Sequence, residues 1–355
     1  MRLEASDREA IGTLLSVGFR GARGARFEED VEAMRAARVG GVVLFDRDLA
    51  TGAGRNIEGP AQVERLVGEL RARLGDGLVV TIDQEGGRVA RLRAERGFED
   101  DVGASAFAKL DDAGRREAAD RQALQLARLG VTMNFAPCVD VAVALDGPVI
   151  GALGRSYGDD ADVVVECARN VIEAHRSRGV ACCVKHFPGH GSARVDSHDE
   201  VAEVSATYDE EREFGAFERL IESARPEGVM VGHLLCDRFD AAWPASLSRA
   251  TIEGVLRGRL GFGGVVVTDS LDMGSIGGRY GLDEAVVLAV NAGADMIVNG
   301  FNRALQDADA MHPAMEMHEA IERGVVDGTI EGGMARIEES ARRVRGLRGG
   351  RLSRR

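Results

Sequence analysis

The stretch Leu78-Val79-Val80-Thr81-Ile82 is a short apolar run that ends in a carboxylate, Asp83, and then in two glycines, Gly86 and Gly87. A run of this length, rich in β-branched side chains and apolar on both faces, is typical of a parallel strand covered by helices. Similar runs recur at 41–45, 131–135, 180–184, 228–231, 265–268 and 295–298. With a first candidate at 11–19, they predict eight parallel strands.

The stretches between the apolar runs have the periodicity of amphipathic helices, for example at 61–74, 114–129, 161–178, 210–224 and 283–292. Strands that alternate with helices, without hairpin signals, predict an α/β fold with right-handed crossovers. Eight such units favour a (β/α)8 barrel over an open sheet. No linker or shift in composition divides the chain. We therefore expect one barrel domain at 1–345 and a frayed tail at 346–355.

The composition narrows the class of partner. The chain of 355 residues carries 58 acidic and 45 basic side chains, a net charge of −13. Such an excess repels phosphate backbones and anionic lipids, which argues against nucleic acid and membrane partners. The sequence has no run of ~18 apolar residues, and residues 1–9 are charged and lack the apolar stretch of a signal peptide. The cysteine count is five, and an odd count is typical of reduced thiols. These observations predict a cytoplasmic protein.

Charged side chains follow several of the predicted strands directly. Asp83 follows Ile82, Lys185 and His186 follow Val184, and Asp269 follows Thr268. Further polar residues lie in these loops or in those after the strands that end at Phe135 and Val231: Arg91, Arg155, Asp196, His198 and His233. The carboxyl ends of barrel strands and the loops after them form the active sites of this fold. We therefore expect these groups to converge on one site for a small polar ligand.

Some of these residues have simpler interpretations. Asp83 is also a suitable cap for a helix that follows its strand. Lys185 is one of only two lysines in the chain, the other being Lys109, so a compact ammonium at this position is a notable choice. His312 and His318 lie on a late polar helix and are expected at the solvated surface.

A metal site is a second interpretation of the histidines. His186, His190 and His198, with Asp196, form a plausible ligand set. However, Pro188 and Gly189 break the helix that would place the first two imidazoles on one face, and Lys185 would put an ammonium beside the cation. We therefore expect neither a metal nor another cofactor.

Three parts of the sequence together are more specific than any one of them. They are KHFPGHG at 185–191 with DSH at 196–198, DQEGGRV at 83–89, and VTDSLDM at 267–273. In this order they resemble the motifs of glycoside hydrolase family 3. The match is most similar to its β-N-acetylglucosaminidase branch, the cytoplasmic enzymes of cell-wall recycling, and it covers about residues 11–300. The resemblance independently implies a barrel, here in the single-domain form.

The resemblance implies a retaining mechanism. Asp269 would be the nucleophile that forms a covalent glycosyl ester, and Asp272 is the competing carboxylate three residues on. His198 would be the acid/base, with Asp196 orienting its imidazole and supporting the charged form. Glycines at 189 and 191 and Ser192 predict a mobile loop that brings His198 to the substrate after binding.

The resemblance also implies the sugar contacts. They are Asp83, Arg91, Arg155, Lys185 and His186. The expected partner is a carbohydrate, a glycoside containing N-acetylglucosamine, and a monomer is the default. The stretch 151–157 departs from the family pattern, which makes the preference for an N-acetyl sugar less secure than the glycosidase chemistry.

Four alternatives remain open at this point. A β-glucosidase would belong to the same family but act on another sugar, and DSH at 196–198 is the main feature that favours the N-acetyl branch over it. A glycoside phosphorylase would exploit the uncharged histidine, which does not repel phosphate. A metal-dependent barrel hydrolase would use the histidines as ligands. A non-enzymatic sugar sensor would keep only the pocket.

Overall fold

The computed structural model describes residues 3–48, 51–197, 200–302 and 311–347. Its main sheet is a ring of eight parallel strands: β1 Leu15–Gly18, β2 Gly41–Leu44, β3 Val79–Ile82, β4 Met133–Asn134, β5 Ala181–Phe187, β7 Gly228–Val231, β9 Val265–Thr268 and β10 Ile297–Asn299. A second, two-stranded sheet pairs β6 Ala202–Glu203 with β8 Leu234–Leu235. The predicted (β/α)8 barrel is confirmed.

The ring closes between its last two strands. Seven pairings give the order β10-β1-β2-β3-β4-β5-β7-β9. A parallel bridge between Val267 and Met296 joins β9 to β10, and Thr268 N donates to Met296 O at 3.0 Å. A closed sheet leaves no strand edge exposed, so each strand finds partners on both sides.

Helices surround the ring. They are α1 Ala5–Thr13, α2 Ala25–Ala36, α3 Pro60–Leu74, α4 Ala104–Phe107, α5 Asp112–Arg128, α6 Ala161–Ser177, α7 Gly215–Ser223, α8 Gly274–Gly277, α9 Leu282–Ala292, α10 Pro313–Asp327 and α11 Gly333–Gly346. Two π-helical segments, Glu210–Phe214 and Ala250–Arg259, take the places of further α-helical turns. None of the described helices is both long and apolar enough to cross a membrane.

The apolar run at 11–19 is divided between two elements. Its first residues end α1, and only the later ones form β1. A capping box between Glu4 and Asp7 starts the helix ahead of the run. Gly12 then packs tightly, since a Cβ there would lie 2.1 Å from Arg38 O. The prediction of one strand over the whole run is wrong because all of its residues are buried, and burial alone does not separate helix from strand.

Alternate strand residues fill the inside of the barrel. Val43, Val79, Met133, Cys183 and Val265 belong to this inner cluster. The cluster also includes two residues from the C-terminal end of the described chain: Val344 of α11 and Leu347. The helix α11 therefore covers the amino end of the ring and places apolar side chains against its interior. Of the predicted tail, residues 348–355 lie outside the described residues.

Candidate active site

A cavity of about 1040 Å³ opens at the carboxyl ends of the strands. Seven of the predicted site residues line it: Asp83, Arg91, Arg155, Lys185, His186, Asp196 and Asp269. His233 does not line the cavity, because its imidazole is buried and bonded to Ser246 Oγ and Ser270 O. Apolar side chains from inside the ring, such as Phe135 and Met230, also line the cavity. His198 lies outside the described residues. An apolar surface with converging polar groups is typical of a small-molecule site.

Lys185 lies at the centre of the charged groups. Its ammonium donates to Asp83 Oδ1 at 2.7 Å and lies 2.7 Å from Glu85 Oε1. Arg155 binds Glu85 with two parallel hydrogen bonds of 2.7 and 2.9 Å, and Arg91 lies 3.4 Å from Asp83. Alternating charges of this kind compensate each other in a buried site, where an unpaired charge is costly.

The charges hold one another in their ionised forms. Burial alone would raise the pKa of Asp83, but Lys185 and Arg91 outweigh it and hold that pKa below its usual range. Burial acts on Glu85 in the same way, and Arg155 and Lys185 lower its pKa strongly. The pKa of Lys185 would fall on burial, yet the two carboxylates raise it above its usual value. At neutral pH all of these groups are therefore charged.

Asp140 holds His186 from behind the cavity. The Nδ1 of His186 donates to Asp140 Oδ2 at 2.6 Å, and its backbone N donates to Oδ1 at 3.1 Å. Burial would raise the pKa of Asp140, but His186 and the donated hydrogen bonds lower it to about 2. Because Nδ1 is occupied, Nε2 is the ring nitrogen that remains for the cavity, 3.5 Å from Arg155.

Asp269 follows β9 directly, and the hydrogen bonds that its carboxylate accepts differ from those of Asp272. Asp269 Oδ1 accepts from Ser270 N at 2.8 Å. Asp272 accepts from Ser270 Oγ at 2.5 Å and from Asn302 N at 2.9 Å, so both of its oxygens support the loops after β9 and β10. His233 Nε2 donates to Ser270 O at 3.0 Å and fixes the same turn.

The loop after β5 is closely packed over residues 189–193. A Cβ at Gly191 would lie 1.6 Å from Val141 O, and Gly191 O accepts from Ala144 N at 2.9 Å. Gly189 has φ +140°, a conformation that favours glycine, and a Cβ there would lie 2.6 Å from Glu213 Cβ. The glycines that suggested mobility in the sequence thus have a packing role in this part of the loop.

Two residues of the site were missed in the sequence. Glu85 stands in the same motif as Asp83, but spacing alone does not show that it pairs with Lys185 and Arg155. Asp140 follows the apolar residues 135–139, as Asp83 follows its own strand, so the same rule could have found it. The run is interrupted by Pro137, which hid the signal.

Two simpler interpretations are wrong. Asp83 caps no helix, because its carboxylate contacts Lys185 and Arg91 and the next helical turn begins only at Ala94. His318 is 6% exposed and its Nε2 donates to Arg8 O, while His312 caps α10 by accepting from Ala314 N. Neither histidine is a solvated surface residue, because the first turns of α10 are buried against the barrel.

The proposed histidine metal cluster is not formed by the described residues. His190 Nε2 lies 2.8 Å from Ser197 Oγ instead. One other group, Cys138, Asp140 and His186, brings potential ligand atoms within 4.8 Å of one another. The hydrogen bond between Asp140 and His186 already uses those atoms, and burial raises the pKa of the Cys138 thiol well above its usual value. This donor set is therefore poorly suited to a resident cation.

Comparisons with known proteins agree on one family. A family model described as the N-terminal domain of glycosyl hydrolase family 3 matches residues 7–347. A β-hexosaminidase of Idiomarina loihiensis is 32% identical over 301 residues, which are 82% of this chain and 86% of that protein. A β-hexosaminidase of Tolumonas auensis is 31% identical over 78% of this chain and 80% of its own length.

Solved structures give the same result. A family 3 β-N-acetylglucosaminidase from Paenibacillus sp. FPU-7 superimposes with a TM-score of 0.84 at 34% identity, over 98% of this chain and 62% of that longer chain. A β-N-acetylhexosaminidase from Beutenbergia cavernae has a TM-score of 0.83 at 29% identity, over 98% of this chain and all of that one.

Proposed function

Because this chain belongs to glycosyl hydrolase family 3, we propose that it is a retaining β-N-acetylglucosaminidase that removes terminal β-linked N-acetylglucosamine. Asp269 forms the covalent glycosyl ester, and His198 with Asp196 is the acid/base pair. The family predicted from the sequence motifs is confirmed, and the chain is a glycoside hydrolase. The sugar, the intermediate and the dyad are the parts that we propose.

The position of Asp269 is the observation that carries the proposal. It directly follows a barrel strand and lines the same cavity as the charged group around Lys185. A strand end is a rigid support, which a nucleophile needs in order to meet the anomeric carbon in line. Asp272 is a weaker candidate because both of its oxygens accept hydrogen bonds from neighbouring loops.

The charged group suits the binding of sugar hydroxyls. The carboxylate of Asp83 stays ionised and is partly open to the cavity, so it can accept from two hydroxyls. Arg91, Arg155, Lys185 and His186 supply the donors or ring nitrogens around it. A sugar with a missing or inverted hydroxyl would leave one of these buried groups unpaired, at a cost of about 1–3 kcal/mol. This is how the site would select its sugar.

The acid/base pair is drawn from the loop after β5. Asp196 lines the cavity, and His198 comes two residues later, outside the described residues. An imidazole with a reference pKa of ~6.5 can donate a proton to the leaving oxygen and later accept one from water near neutral pH. A neighbouring aspartate favours its protonated form.

The test combines loss of activity with rescue by azide. We expect wild type to hydrolyse aryl N-acetyl-β-glucosaminides, and Asp269→Ala to lose about a thousandfold or more in kcat/KM. In this variant azide replaces the nucleophile and yields the α-glycosyl azide. In His198→Ala the ester still forms, so azide attacks it from the opposite face and yields the β-glycosyl azide. Product configuration is read by NMR.

Other outcomes would change specific parts of the proposal. Full activity of Asp269→Ala would remove the nucleophile assignment. Turnover of the aryl β-glucoside alone would change the sugar but keep the family. Formation of sugar 1-phosphate in phosphate buffer would replace hydrolysis by phosphorolysis, and loss of activity to a chelator would favour a metal-dependent hydrolase. If no substrate were turned over at low or high salt, the non-enzymatic sugar sensor would be the remaining interpretation.

A further inference from the structure

The segment that leads to the proposed acid/base pair is attached to the sugar-binding wall through one buried carboxylate. Asp140 is fully buried and accepts from the His186 side chain on the cavity wall. The same carboxylate accepts from His190 N at 2.8 Å, in the loop that continues to Asp196. The position of the sugar-binding imidazole and that of the loop backbone thus depend on one group.

A second contact continues from His190 to the far end of this loop. His190 Nε2 lies 2.8 Å from the Oγ of Ser197, the residue between Asp196 and His198. Both side chains are nearly inaccessible, with His190 1% and Ser197 2% exposed. A hydrogen bond that spans seven residues of a loop and is shielded from water restrains the loop more than an exposed one would.

The direction of this bond follows from the surroundings of the ring. Burial and the nearby His186 lower the pKa of His190 to about 4, so the imidazole is neutral near pH 7. Its Nδ1 is buried with no hydrogen-bond partner among the described residues. An unpaired acceptor is tolerated better than an unpaired N–H, so the ring proton belongs on Nε2 and is donated to Ser197 Oγ.

We propose that His190 is a positioning residue: it ties Ser197, and with it the Asp196 segment, to the wall that Asp140 and His186 form. The inference rests on the proposed function, in which that segment carries the acid/base. In this arrangement the contact sets the separation between the sugar-binding wall and the Asp196 end of the loop, and general acid catalysis requires the reacting groups to be placed to within a fraction of an ångström.

The loop offers a matched pair of variants. Ser197→Ala removes the hydroxyl that accepts from His190. Ser192→Ala makes the same chemical change in the same loop, but the buried Ser192 hydroxyl interacts with Glu213 and takes no part in the bond between His190 and Ser197. The loop contact that Ser192 makes through its backbone N to Glu213 Oε1, at 3.0 Å, does not depend on that hydroxyl.

The measurement separates acid catalysis from general damage by varying the leaving group. A dinitrophenolate leaves without a proton, whereas a sugar alcohol needs one. We expect Ser197→Ala to lower kcat/KM about tenfold for a disaccharide substrate and less than threefold for the dinitrophenyl glycoside, and Ser192→Ala to leave both unchanged. Equal losses for the two substrates, or no loss for either, would overturn the proposal.

Hydrogen exchange tests the same bond without using activity. Amides of residues 191–197 should exchange faster in Ser197→Ala than in wild type or Ser192→Ala, while the barrel strands stay unchanged. Unchanged exchange in the loop would overturn the positioning role even if the enzyme were active. Faster exchange with no turnover of any glycoside by wild type would instead confirm the restraint and refute the proposed function.

Discussion

Lys185 lies between two carboxylates, and the geometry explains why a compact ammonium occupies this position. Its Nζ is 2.7 Å from oxygens of both Asp83 and Glu85, and its side chain is 2% exposed. Arg155 already binds Glu85 along two parallel bonds, which is the geometry that a planar guanidinium prefers. An arginine in place of Lys185 would have to bind Glu85 oxygens that Arg155 already binds from another direction.

Removal of this ammonium should destabilise the fold. We expect Lys185→Met to lower the free energy of unfolding by about 3–5 kcal/mol, because two buried carboxylates lose a shared counter-charge. The cost of Glu85→Gln should be smaller by about 1 kcal/mol or more in this variant than in wild type, since one of the two cations that bind Glu85 is then already gone. Urea titrations give both values. Strict additivity of the two substitutions would contradict this account.

The other lysine provides the control. Lys109 is exposed, and Lys109→Met should change the free energy of unfolding by less than about 0.5 kcal/mol. A similar loss in both lysine variants would show that replacing a lysine is harmful in itself, whatever its partners.

At the residue scale, the sequence predicts which residues lie in the site better than it predicts which of them form ion pairs with one another. Asp83, Lys185 and Asp269 were found because each directly follows an apolar run, and that rule is local. The pairing of Glu85 with Arg155 joins residues 70 positions apart. Such a contact is a property of the closed ring, so motif spacing could not reveal it.

Among the elements, α6 shows how a buried histidine couples a helix to a strand. His175 Nδ1 donates to Val171 O at 2.9 Å within α6, and Nε2 accepts from Asn134 of β4 at 3.2 Å. Every ring nitrogen of the neutral form is therefore satisfied. Burial lowers the pKa of His175 to about 4.

This arrangement predicts acid sensitivity. The unfolded chain binds a proton at His175 below pH ~6.5, while the folded chain resists it until about pH 4. The stabilisation is therefore complete above pH ~6.5 and is lost as the pH falls from there toward 4. We expect His175 to account for a loss of up to about 2 kcal/mol between pH 7 and pH 5.

Denaturant titrations at the two pH values measure this loss, with His175→Gln as the comparison. The variant has no titrating group at this position, so its stability should fall less than that of wild type over the same interval. An equal fall in both proteins would assign the acid sensitivity to other groups, such as His190, whose pKa is also lowered.

The limits of element prediction have physical causes. The run at 131–135 contains a strand of only two residues, Met133–Asn134, because Pro137 has no N–H and interrupts the pairing with β5, which resumes only as a bridge between Cys138 and Lys185. The run at 11–19 contains both a helix end and a strand. In both cases the apolar run shows only that its residues are buried. Helix ends and loops of the barrel are buried as fully as its strands, so burial does not identify the element.

On the scale of the whole molecule, α11 closes the barrel, and one carboxylate attaches it. Asp295, just before β10, accepts from Ser340 Oγ at 2.8 Å and from Arg343 at 3.0 Å, both on α11. It also pairs with Arg257, which comes from the π-helical segment before β9. The amphipathic pattern of α11 predicts a helix but not the surface it covers, so this role emerges only from the assembled ring.

We expect Asp295→Asn to lower the free energy of unfolding by about 3–5 kcal/mol, because the arginines around it lose their counter-charge. Amides of α11 should then exchange with solvent well before the strands do. The control is Glu339→Gln, which removes a half-exposed partner of Arg343 and should cost less than about 1 kcal/mol. Cooperative exchange of α11 with the strands in Asp295→Asn would contradict the idea of a separately attached helix.

The closed amino end of the barrel also determines how substrate and products enter and leave the cavity. Apolar side chains from the strands and from α11 fill the interior below the cavity, so in the described part of the chain the cavity has one mouth. Under the proposed function, a glycoside enters with its terminal sugar first, and both products leave through the mouth that the described residues form. The fragment nearer the mouth departs before the deeper sugar can follow. In the proposed mechanism, that departure also opens the path by which water reaches the glycosyl ester.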